Sequence, residues 1–399
     1  MRRVRGRLSP VVVLTALIAI GASLAACSRE AEGFYERAPA DLAQLPPGAL
    51  IASERVTDLV PSLEGSVAHR VMYRSEGALG GPVATTGMVL VPSETAPEGG
   101  WPVVAWGHGT SGVGDACTPS KYPNLYDASS WTGYADLASQ LVAEGYVVVA
   151  PDYEGLGTPG MHTYLDAEAE GDAMIDGVLA ARELVPDAGT RWAAVGHSQG
   201  GQGAIAAGEL AGRAEGLTFV GAVAFAPAQH LEDGLEVIAD DPTVAPYLGY
   251  MAAGMRAIDP SFDYARFLGP TFLDLMPKAE VDCYTRWFTT DTAGLTLAPG
   301  AQLDPGWSND EVVQAYFDGT VVGRTPGQGP VLVLQGTDDG LFWTYQEFLD
   351  ELCAGGTTAQ GRTYADVTHT GVLEAGWPYA RKWLGDRFAG KPATGACGA

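Results

Sequence analysis

Short apolar segments alternate with longer amphipathic ones along most of this chain of 399 residues. The short segments are residues 103–107, 146–151, 191–196, 220–225 and 331–335. Helical periodicity occupies 131–144, 171–184 and 202–214 between them. Continuous apolar strands separated by helices are typical of a parallel sheet that is buried on both faces. The sequence therefore predicts an α/β fold with a mostly parallel sheet and helices on both sides.

Residues 230–329 interrupt this alternation with proline, aromatic residues and mixed helical patterns. An unstructured loop of that length is rare inside a domain, so we predict an inserted helical cap. A second independent domain is the alternative. With an inserted cap, the core consists of residues 67–229 and 330–399. Its first two strands, 67–73 and 86–91, would be joined by a glycine-rich turn. Residues 27–66 are interpreted as a linker and an irregular N-terminal approach.

The first 26 residues have the organisation of an export signal. Four arginines precede the apolar run 11–20, and small residues follow. This arrangement indicates a secretory signal peptide. The run ends in Leu24-Ala25-Ala26-Cys27, which resembles the lipoprotein box of bacteria. We therefore predict an exported cell-envelope lipoprotein that is held to a membrane through Cys27. The alternative is an ordinary signal peptide and an extracellular protein.

The chain carries a formal charge of −25, and removal of residues 1–26 with their four arginines changes −25 to −29. A surface this acidic repels phosphate groups, so nucleic-acid binding is not expected. Apart from Cys27, four cysteines remain: Cys117, Cys283, Cys353 and Cys397. In an exported protein they predict two disulfides, with three connectivities to choose from. We favour Cys117–Cys283 and Cys353–Cys397. No cysteine or histidine cluster suggests a metal site, and no cofactor is expected.

The sequence Gly196-His197-Ser198-Gln199-Gly200 lies between an apolar strand and a helical segment. A Gly-x-Ser-x-Gly sequence in that setting predicts a tight turn that exposes the serine hydroxyl above the sheet. The glycines remove side chains that would collide in such a turn. Ser198 is therefore the predicted nucleophile. A chance match in a glycine-rich chain is the competing explanation.

A serine nucleophile needs a base, and the base needs an acid that orients it. In α/β folds with a Gly-x-Ser-x-Gly turn, the order along the chain is serine, acid, histidine. His369 follows the last predicted strand, 362–364, which is where the base is expected. His230, the other histidine after Ser198, comes too early for an acid to lie between them. The acid is expected after the strand 331–335, where Asp338 and Asp339 are adjacent. We favour Asp339 and interpret Asp338 as an exposed turn residue.

Two backbone N–H groups are needed to stabilise a developing oxyanion. Gln199 follows the nucleophile and supplies one of them. The loop His108-Gly109-Thr110 follows the strand 103–107 and offers the other. We predict Thr110 as this second donor, with Gly109 as the alternative.

These motifs resemble those of the secretory lipase family, which includes the fungal lipase A type and actinobacterial members. The matching segments are 108–110, 115–120, 151–157, 196–201, 335–339 and 383–392. The resemblance implies an α/β-hydrolase fold, acyl-ester hydrolysis, a cap over the acyl pocket and a Ser198–Asp339–His369 triad. It also implies disulfides like those favoured above.

The predicted function is hydrolysis of hydrophobic, triacylglycerol-like esters by a secreted serine hydrolase. Acyl transfer or peptide hydrolysis on the same triad remains an alternative, as does a non-catalytic binding lipoprotein. An ester substrate is the expected partner, and the sequence does not predict an oligomeric state. Seven bulky residues of the predicted cap could line an acyl pocket, although a role in the core of the cap is favoured. They are Phe262, Tyr264, Phe267, Phe272, Leu273, Leu275 and Met276.

Overall fold

The computed structural model of the protein describes residues 33–395 and residue 397. The predicted signal segment, residues 1–26, and the predicted lipidation site, Cys27, lie outside the described residues. Within the described part of the chain, no helix combines the length and the apolar composition that crossing a membrane requires.

One sheet of nine strands organises the described residues. The strands are β1 (Leu50–Val56), β2 (Ser66–Glu76), β3 (Pro82–Pro92), β4 (Trp101–Gly107), β5 (Val147–Pro151), β6 (Ala188–His197), β7 (Thr218–Phe225), β8 (Val331–Asp338) and β9 (Ala359–Thr368). Across the sheet their order is β1-β2-β3-β5-β4-β6-β7-β8-β9. The pairs from β1 to β5 are antiparallel, and all pairs from β5 to β9 are parallel. The predicted mostly parallel α/β sheet is confirmed.

Helices cover both faces of this sheet. The helices are α1 (Gly133–Ala143), α2 (Ala167–Leu184), α3 (Gln199–Glu209), α4 (Leu235–Asp240), α5 (Tyr247–Ile258), α6 (Pro270–Leu273), α7 (Met276–Ala279), α8 (Tyr284–Arg286), α9 (Glu311–Gly319), α10 (Tyr345–Ala354) and α11 (Gly371–Phe388). Helices α2, α3 and α10 pack on one face, and α1 and α11 on the other. Val147 and Val149 of β5 point to the first face and Val148 to the second. Because side chains alternate along a strand, a strand that is covered on both sides is apolar throughout.

The segment between β7 and β8, residues 226–330, is called the insertion below. It contains α4 to α9 and a hydrophobic core of its own, with Tyr250, Phe272 and Trp287 fully buried. Strands β7 and β8 pair directly, so the insertion leaves the sheet at the carboxyl end of β7 and returns to the neighbouring strand. This position places the insertion beside the edge of the sheet at which the predicted site residues lie.

The sheet begins earlier than the sequence analysis expected, because β1 lies within the segment 27–66 that was interpreted as irregular. Leu50–Val56 pairs antiparallel with β2 as an edge strand. Its residues are only half-buried or exposed, and Ser53, Glu54 and Arg55 interrupt any apolar pattern. An edge strand has one neighbour and tolerates such polar residues, which is why its sequence gave no clear strand signal.

Two disulfides hold peripheral segments. Cys117–Cys283 joins the loop after β4 to the insertion, and Cys353–Cys397 joins α10 to the C-terminal tail. The structure thus contains the two pairs that the sequence analysis favoured. They close loops with sequence separations of 166 and 44 residues. Such links stabilise a fold largely by restricting the unfolded chain.

Candidate active site

Ser198 occupies the single position between β6, which ends at His197, and α3, which begins at Gln199. Its φ of 55° and ψ of −119° lie in a region that side-chain-bearing residues rarely adopt. A conformation of this kind costs on the order of 1–3 kcal/mol and persists only when the surroundings enforce it. Here the Ser198 N–H donates to the carbonyl of Phe225 at 2.9 Å, and the Ser198 carbonyl accepts from Gln202 N at 3.1 Å.

The glycines on either side of Ser198 are required by close backbone contacts. A Cβ atom on Gly196 would lie 1.9 Å from the carbonyl oxygen of Gly200. A Cβ atom on Gly200 would lie 2.2 Å from the carbonyl oxygen of Gly107 in β4. No side chain can be accommodated at such distances, so both glycines serve the geometry of the turn.

His369 and Asp339 are brought together although 30 residues separate them. His369 Nδ1 lies 2.8 Å from Asp339 Oδ2. The same oxygen accepts from Gln335 Nε2 at 2.6 Å, and Oδ1 accepts from the N–H of Leu341 at 3.0 Å. Burial raises the pKa of Asp339. Hydrogen bonding to His369, the charge of that ring and the Leu341 N–H together lower the pKa by more than burial raises it, so the net pKa is below its ordinary value. The neighbouring Asp338 is exposed at the end of β8.

Thr110 and Gln199, the two predicted oxyanion donors, belong to different elements of the fold. Thr110 lies in the loop after β4, where its hydroxyl contacts Tyr164 Oη at 2.8 Å and its carbonyl accepts from Tyr126 Oη at 2.9 Å. Gln199 is the first residue of α3. The alternative donor, Gly109, already gives its N–H to Tyr134 Oη at 2.9 Å.

Two cavities open beside the serine. The larger measures about 520 Å³ and is lined by apolar residues of the insertion, among them Leu231, Ile238 and Met251. The smaller measures about 210 Å³ and has aromatic walls, including Trp131 and Tyr134. Ser198 and His369 line both cavities. A substrate group bound in either space would therefore meet the serine and the imidazole together.

The seven bulky cap residues named in the sequence analysis do not line the larger cavity. They pack into the core of the insertion instead, where Phe262, Phe267 and Phe272 are fully buried. The cavity wall is built from residues nearer to β7 and on α4 and α5. The favoured role of those seven residues in the core of the cap is therefore confirmed, and the alternative of an acyl pocket is wrong.

The sequence model described as secretory lipase matches residues 132–396, which is more than half of the chain. The chain belongs to the secretory lipase family. The resemblance noted from the sequence motifs is thereby confirmed.

Two relatives of known description are distant from this chain in sequence. A Mycobacterium tuberculosis protein named as a probable inactive lipase is 26% identical over 89% of this chain and 82% of its own length. Lipase 6 of Candida albicans is 23% identical, over 97% of this chain and 88% of its own. Because the first relative is named as probably inactive, membership of the secretory lipase family does not by itself establish activity.

Solved structures show the same fold. Candida antarctica lipase A in its closed state superposes with a TM-score of 0.76 at 18% identity, covering 92% of this chain and 87% of that one. A rice cell wall degrading esterase from Xanthomonas oryzae gives a TM-score of 0.68 at 20% identity, covering 86% of this chain and 100% of that one. At these identities the likeness concerns the fold alone.

Behind Gln199, this member of the secretory lipase family has a buried polar cluster that sequence reasoning missed. Gln199 Nε2 contacts Glu170 Oε1 at 2.8 Å and His162 Nε2 at 2.9 Å. Burial lowers the pKa of His162 to about 3, so its ring is neutral. Nδ1 therefore carries the proton and donates to the carbonyl of Glu154 at 2.7 Å, which leaves Nε2 to accept from Gln199. Burial also raises the pKa of Glu170 well above its ordinary value.

No sequence signal marks this cluster, since it joins Glu170 in α2, Gln199 at the start of α3 and His162 in the loop before α2. Glu170 and His162 lie 29 and 37 residues from Gln199. The described residues contain no group of three or more histidine, cysteine or acidic side chains arranged to hold a metal ion.

Proposed function

We propose that this protein is a serine carboxylic ester hydrolase that cleaves hydrophobic acyl esters. Ser198 is the nucleophile, His369 the base and Asp339 the acid that orients it. One observation carries the proposal: His369, which pairs with Asp339 at 2.8 Å, and Ser198 on its strained turn line the same two cavities. Membership of the secretory lipase family supports the same reaction class.

Hydrolysis proceeds in two steps. Ser198 Oγ attacks the ester carbonyl while His369 Nε2 accepts the hydroxyl proton, and the carbonyl oxygen becomes an oxyanion. The imidazolium then protonates the alcohol oxygen as the carbon–oxygen bond breaks, which leaves an acyl group on Ser198. Water, deprotonated by the same imidazole, attacks this acyl group and releases the carboxylic acid.

Asp339 keeps the proton of neutral His369 on Nδ1, so that Nε2 is free to accept. Its lowered pKa means that it remains a carboxylate when the imidazolium forms, and the negative charge stabilises that cation. Two further hydrogen bonds to Asp339, from Gln335 and Leu341, prevent the carboxylate from turning away.

The N–H groups of Gln199 and Thr110 are assigned to the oxyanion. Gln199 follows the nucleophile, and its side chain is held by Glu170 and His162, so its peptide has little freedom to move. The bond from Gly109 to Tyr134 makes Gly109 the weaker candidate, because using it would leave Tyr134 without this donor. Each preorganised donor contributes on the order of 10²–10³ in kcat.

The larger cavity is assigned to the acyl chain, because apolar side chains supply most of its wall. In this assignment the insertion, which includes the predicted cap 230–329, covers the acyl group. The smaller aromatic cavity is then left for the leaving alcohol.

Export and lipid attachment at Cys27 are part of the proposal and rest on the N-terminal sequence together with membership of a secretory family. Mass spectrometry of the membrane-bound protein should find an acylated N-terminal cysteine. A Cys27→Ser variant should lose both the modification and the membrane fraction. An unmodified N-terminus in active, exported protein would instead favour an ordinary signal peptide.

The function is tested with p-nitrophenyl esters of increasing acyl length, with the wild-type protein and the Ser198→Ala variant side by side. Turnover by the wild type and a decrease of about 10⁴–10⁶ in the variant are expected. A fluorophosphonate should label the wild type on Ser198. Folded wild-type protein that is neither labelled nor active would contradict the proposal and favour a non-catalytic binding protein, in line with the name of the Mycobacterium tuberculosis relative.

Acyl transfer and peptide hydrolysis on the same triad are separated by product analysis. With an alcohol acceptor present, a hydrolase should still release mainly free acid, whereas a transferase would form the new ester. A peptide substrate should be left intact.

A further inference from the structure

A continuous chain of hydrogen bonds connects the loop after β4 to the loop that carries His369. Gly109 N lies 2.9 Å from Tyr134 Oη. Tyr134 Oη lies 2.9 Å from His197 Nδ1, and His197 Nε2 lies 3.0 Å from the backbone carbonyl oxygen of His369. The chain passes through the residue directly before Ser198, so it touches all three segments that the proposed reaction uses.

The direction of every bond in this chain is determined by its two ends. A backbone N–H can only donate and a backbone carbonyl can only accept. Gly109 therefore donates to Tyr134, and His197 Nε2 carries a proton that it donates to His369. Neutral His197 then presents a bare Nδ1, which accepts the hydroxyl proton of Tyr134. All three links are satisfied by one tautomer of His197, with Nε2 protonated.

The surroundings keep His197 in this neutral form. Its side chain is buried, and burial lowers the pKa of His197 to about 3, with the neighbouring His369 lowering it further. The two imidazole rings are 4.7 Å apart between centroids. A neutral ring at this distance does not repel the imidazolium that His369 becomes during the reaction, whereas a charged one would oppose it.

We propose that His197 and Tyr134 are positioning residues that hold the His369 backbone and the Gly109–Thr110 loop in register with Ser198. The inference rests on the proposed function, since it assigns these residues a part in the same reaction. Neither residue exchanges a proton with the substrate. His197 holds the backbone carbonyl of His369, the residue whose side chain is the proposed base. Tyr134 holds the peptide directly before the proposed oxyanion donor Thr110.

Catalysis depends steeply on such placement, because a displacement of about 1 Å at the reacting groups can reduce the rate 10²-fold. The bond from Tyr134 to Gly109 and the bond from His197 to His369 are each a single hydrogen bond. Loss of His197 would free the carbonyl of His369 and leave the Tyr134 hydroxyl without its acceptor. Loss of the Tyr134 hydroxyl alone would leave the Gly109 N–H and His197 Nδ1 unpaired in a buried site.

Three substitutions test the proposal kinetically. His197→Leu removes both links, and we expect kcat to fall about 100-fold with KM within about twofold of wild type. His197→Gln places an amide nitrogen near the position of Nε2, so it should restore the bond to His369 and recover at least tenfold in kcat over the leucine variant. Tyr134→Phe keeps the ring and should reduce kcat about tenfold while the protein remains folded.

The kinetic test has clear opposite outcomes. His197→Leu with kcat within threefold of wild type would overturn the proposal. So would a glutamine variant that is no better than leucine, because loss of packing alone would not be repaired by an amide. If His197→Leu does not fold, the Tyr134→Phe comparison decides, and unchanged kcat in that variant would overturn the proposal.

A measurement without turnover separates this inference from the proposed function. Histidine ¹⁵N NMR, with the His197 signals assigned from the glutamine variant, should report the neutral, Nε2-protonated tautomer between about pH 5 and 8. The Ser198→Ala variant should give the same result. An Nδ1-protonated or cationic His197 would overturn the positioning role, even if the enzyme is active. Wild-type protein without activity would contradict the proposed function while leaving the tautomer readable.

Discussion

The carboxyl edge of the parallel sheet and the insertion contribute to the same cavity in different ways. Ser198 and Asp339 follow directly on β6 and β8, whose last residues pair with neighbouring strands. The insertion consists of short helices around a separate core and supplies mainly apolar wall, such as Leu231 and Met251. The sheet edge thus holds the groups that are proposed to react, and the insertion supplies much of the cavity wall around them. Changes at the edge should affect kcat, whereas changes in the insertion should affect substrate preference.

The largest effect is expected from the acid at the sheet edge. Asp339→Asn should lower kcat about 10⁴-fold, because an amide cannot hold His369 in the required tautomer or stabilise its cation. Asp338→Asn is the matched control and should stay within twofold, since Asp338 is exposed at the strand end. Steady-state kinetics on one ester settles both. A larger loss from the Asp338 variant would mean that the acid has been assigned to the wrong aspartate.

A smaller but still large effect is expected from the turn itself. Gly196→Ala introduces a Cβ only 1.9 Å from the Gly200 carbonyl, so the turn must open and kcat should fall about 100-fold. Gly385→Ala in α11 is the control, because a Cβ there meets nothing within 4 Å. This control should keep full activity and gain about 0.5–1 kcal/mol in the free energy of unfolding. Equal behaviour of the two variants would contradict the strained-turn geometry.

In the insertion, a substitution should change preference instead of rate. Ile238→Trp fills part of the larger cavity, and kcat/KM for long acyl esters should fall about tenfold while acetyl esters are unaffected. Val281→Trp is made in the same insertion at an exposed position away from the cavity and should leave both values unchanged. A uniform loss over all chain lengths in the Ile238 variant would place the acyl chain elsewhere and weaken the division between edge and insertion.

The smallest effect concerns the buried polar cluster of Glu170 and His162 that contacts Gln199. Burial raises the pKa of Glu170, so the folded protein binds a proton there that the unfolded chain releases at lower pH. This contribution to stability is present below the ordinary carboxyl pKa and is lost as the pH rises. Glu170→Gln should therefore raise Tm by a few degrees at pH 8 and change it little at pH 4.

Glu170→Ala provides the comparison, because it removes the oxygen that holds Gln199 and should reduce kcat as well as Tm. Thermal unfolding at several pH values and kinetics on one ester measure both variants. A glutamine variant with the same dependence of Tm on pH as wild type would show that Glu170 is ionised in the folded protein.

Local motifs were sufficient to predict the residues of the sheet edge. The glycine spacing around Ser198 and the strand ends before Asp339 and His369 all lie within a few residues of the groups concerned. The supporting contacts were not predictable, because they join distant parts of the chain. Tyr134 is 63 residues from His197, and His197 is 172 residues from the carbonyl that it binds. No pattern in one sequence reports such pairs.

Element boundaries and side-chain directions were the other shortfalls. Helix α3 begins at Gln199, three residues before the predicted start, because the serine turn itself leads into the first helical residue. The edge strand β1 was missed because its residues are half-buried or exposed and include polar ones. In the insertion, helices α6 and α7 are only four residues long, too short for periodicity to reveal the inward face.

The disulfide between Cys117 and Cys283 has a mechanical consequence for the insertion. Cys283 directly precedes Tyr284, which lines both cavities, and its partner lies in the loop that also carries Thr110. Any movement of the insertion is therefore restricted at Cys283, where this link forms a covalent pivot. The link also makes the finished cavity wall depend on oxidation. A chain kept in its thiol form before export would lack this pivot until it reaches an oxidising compartment.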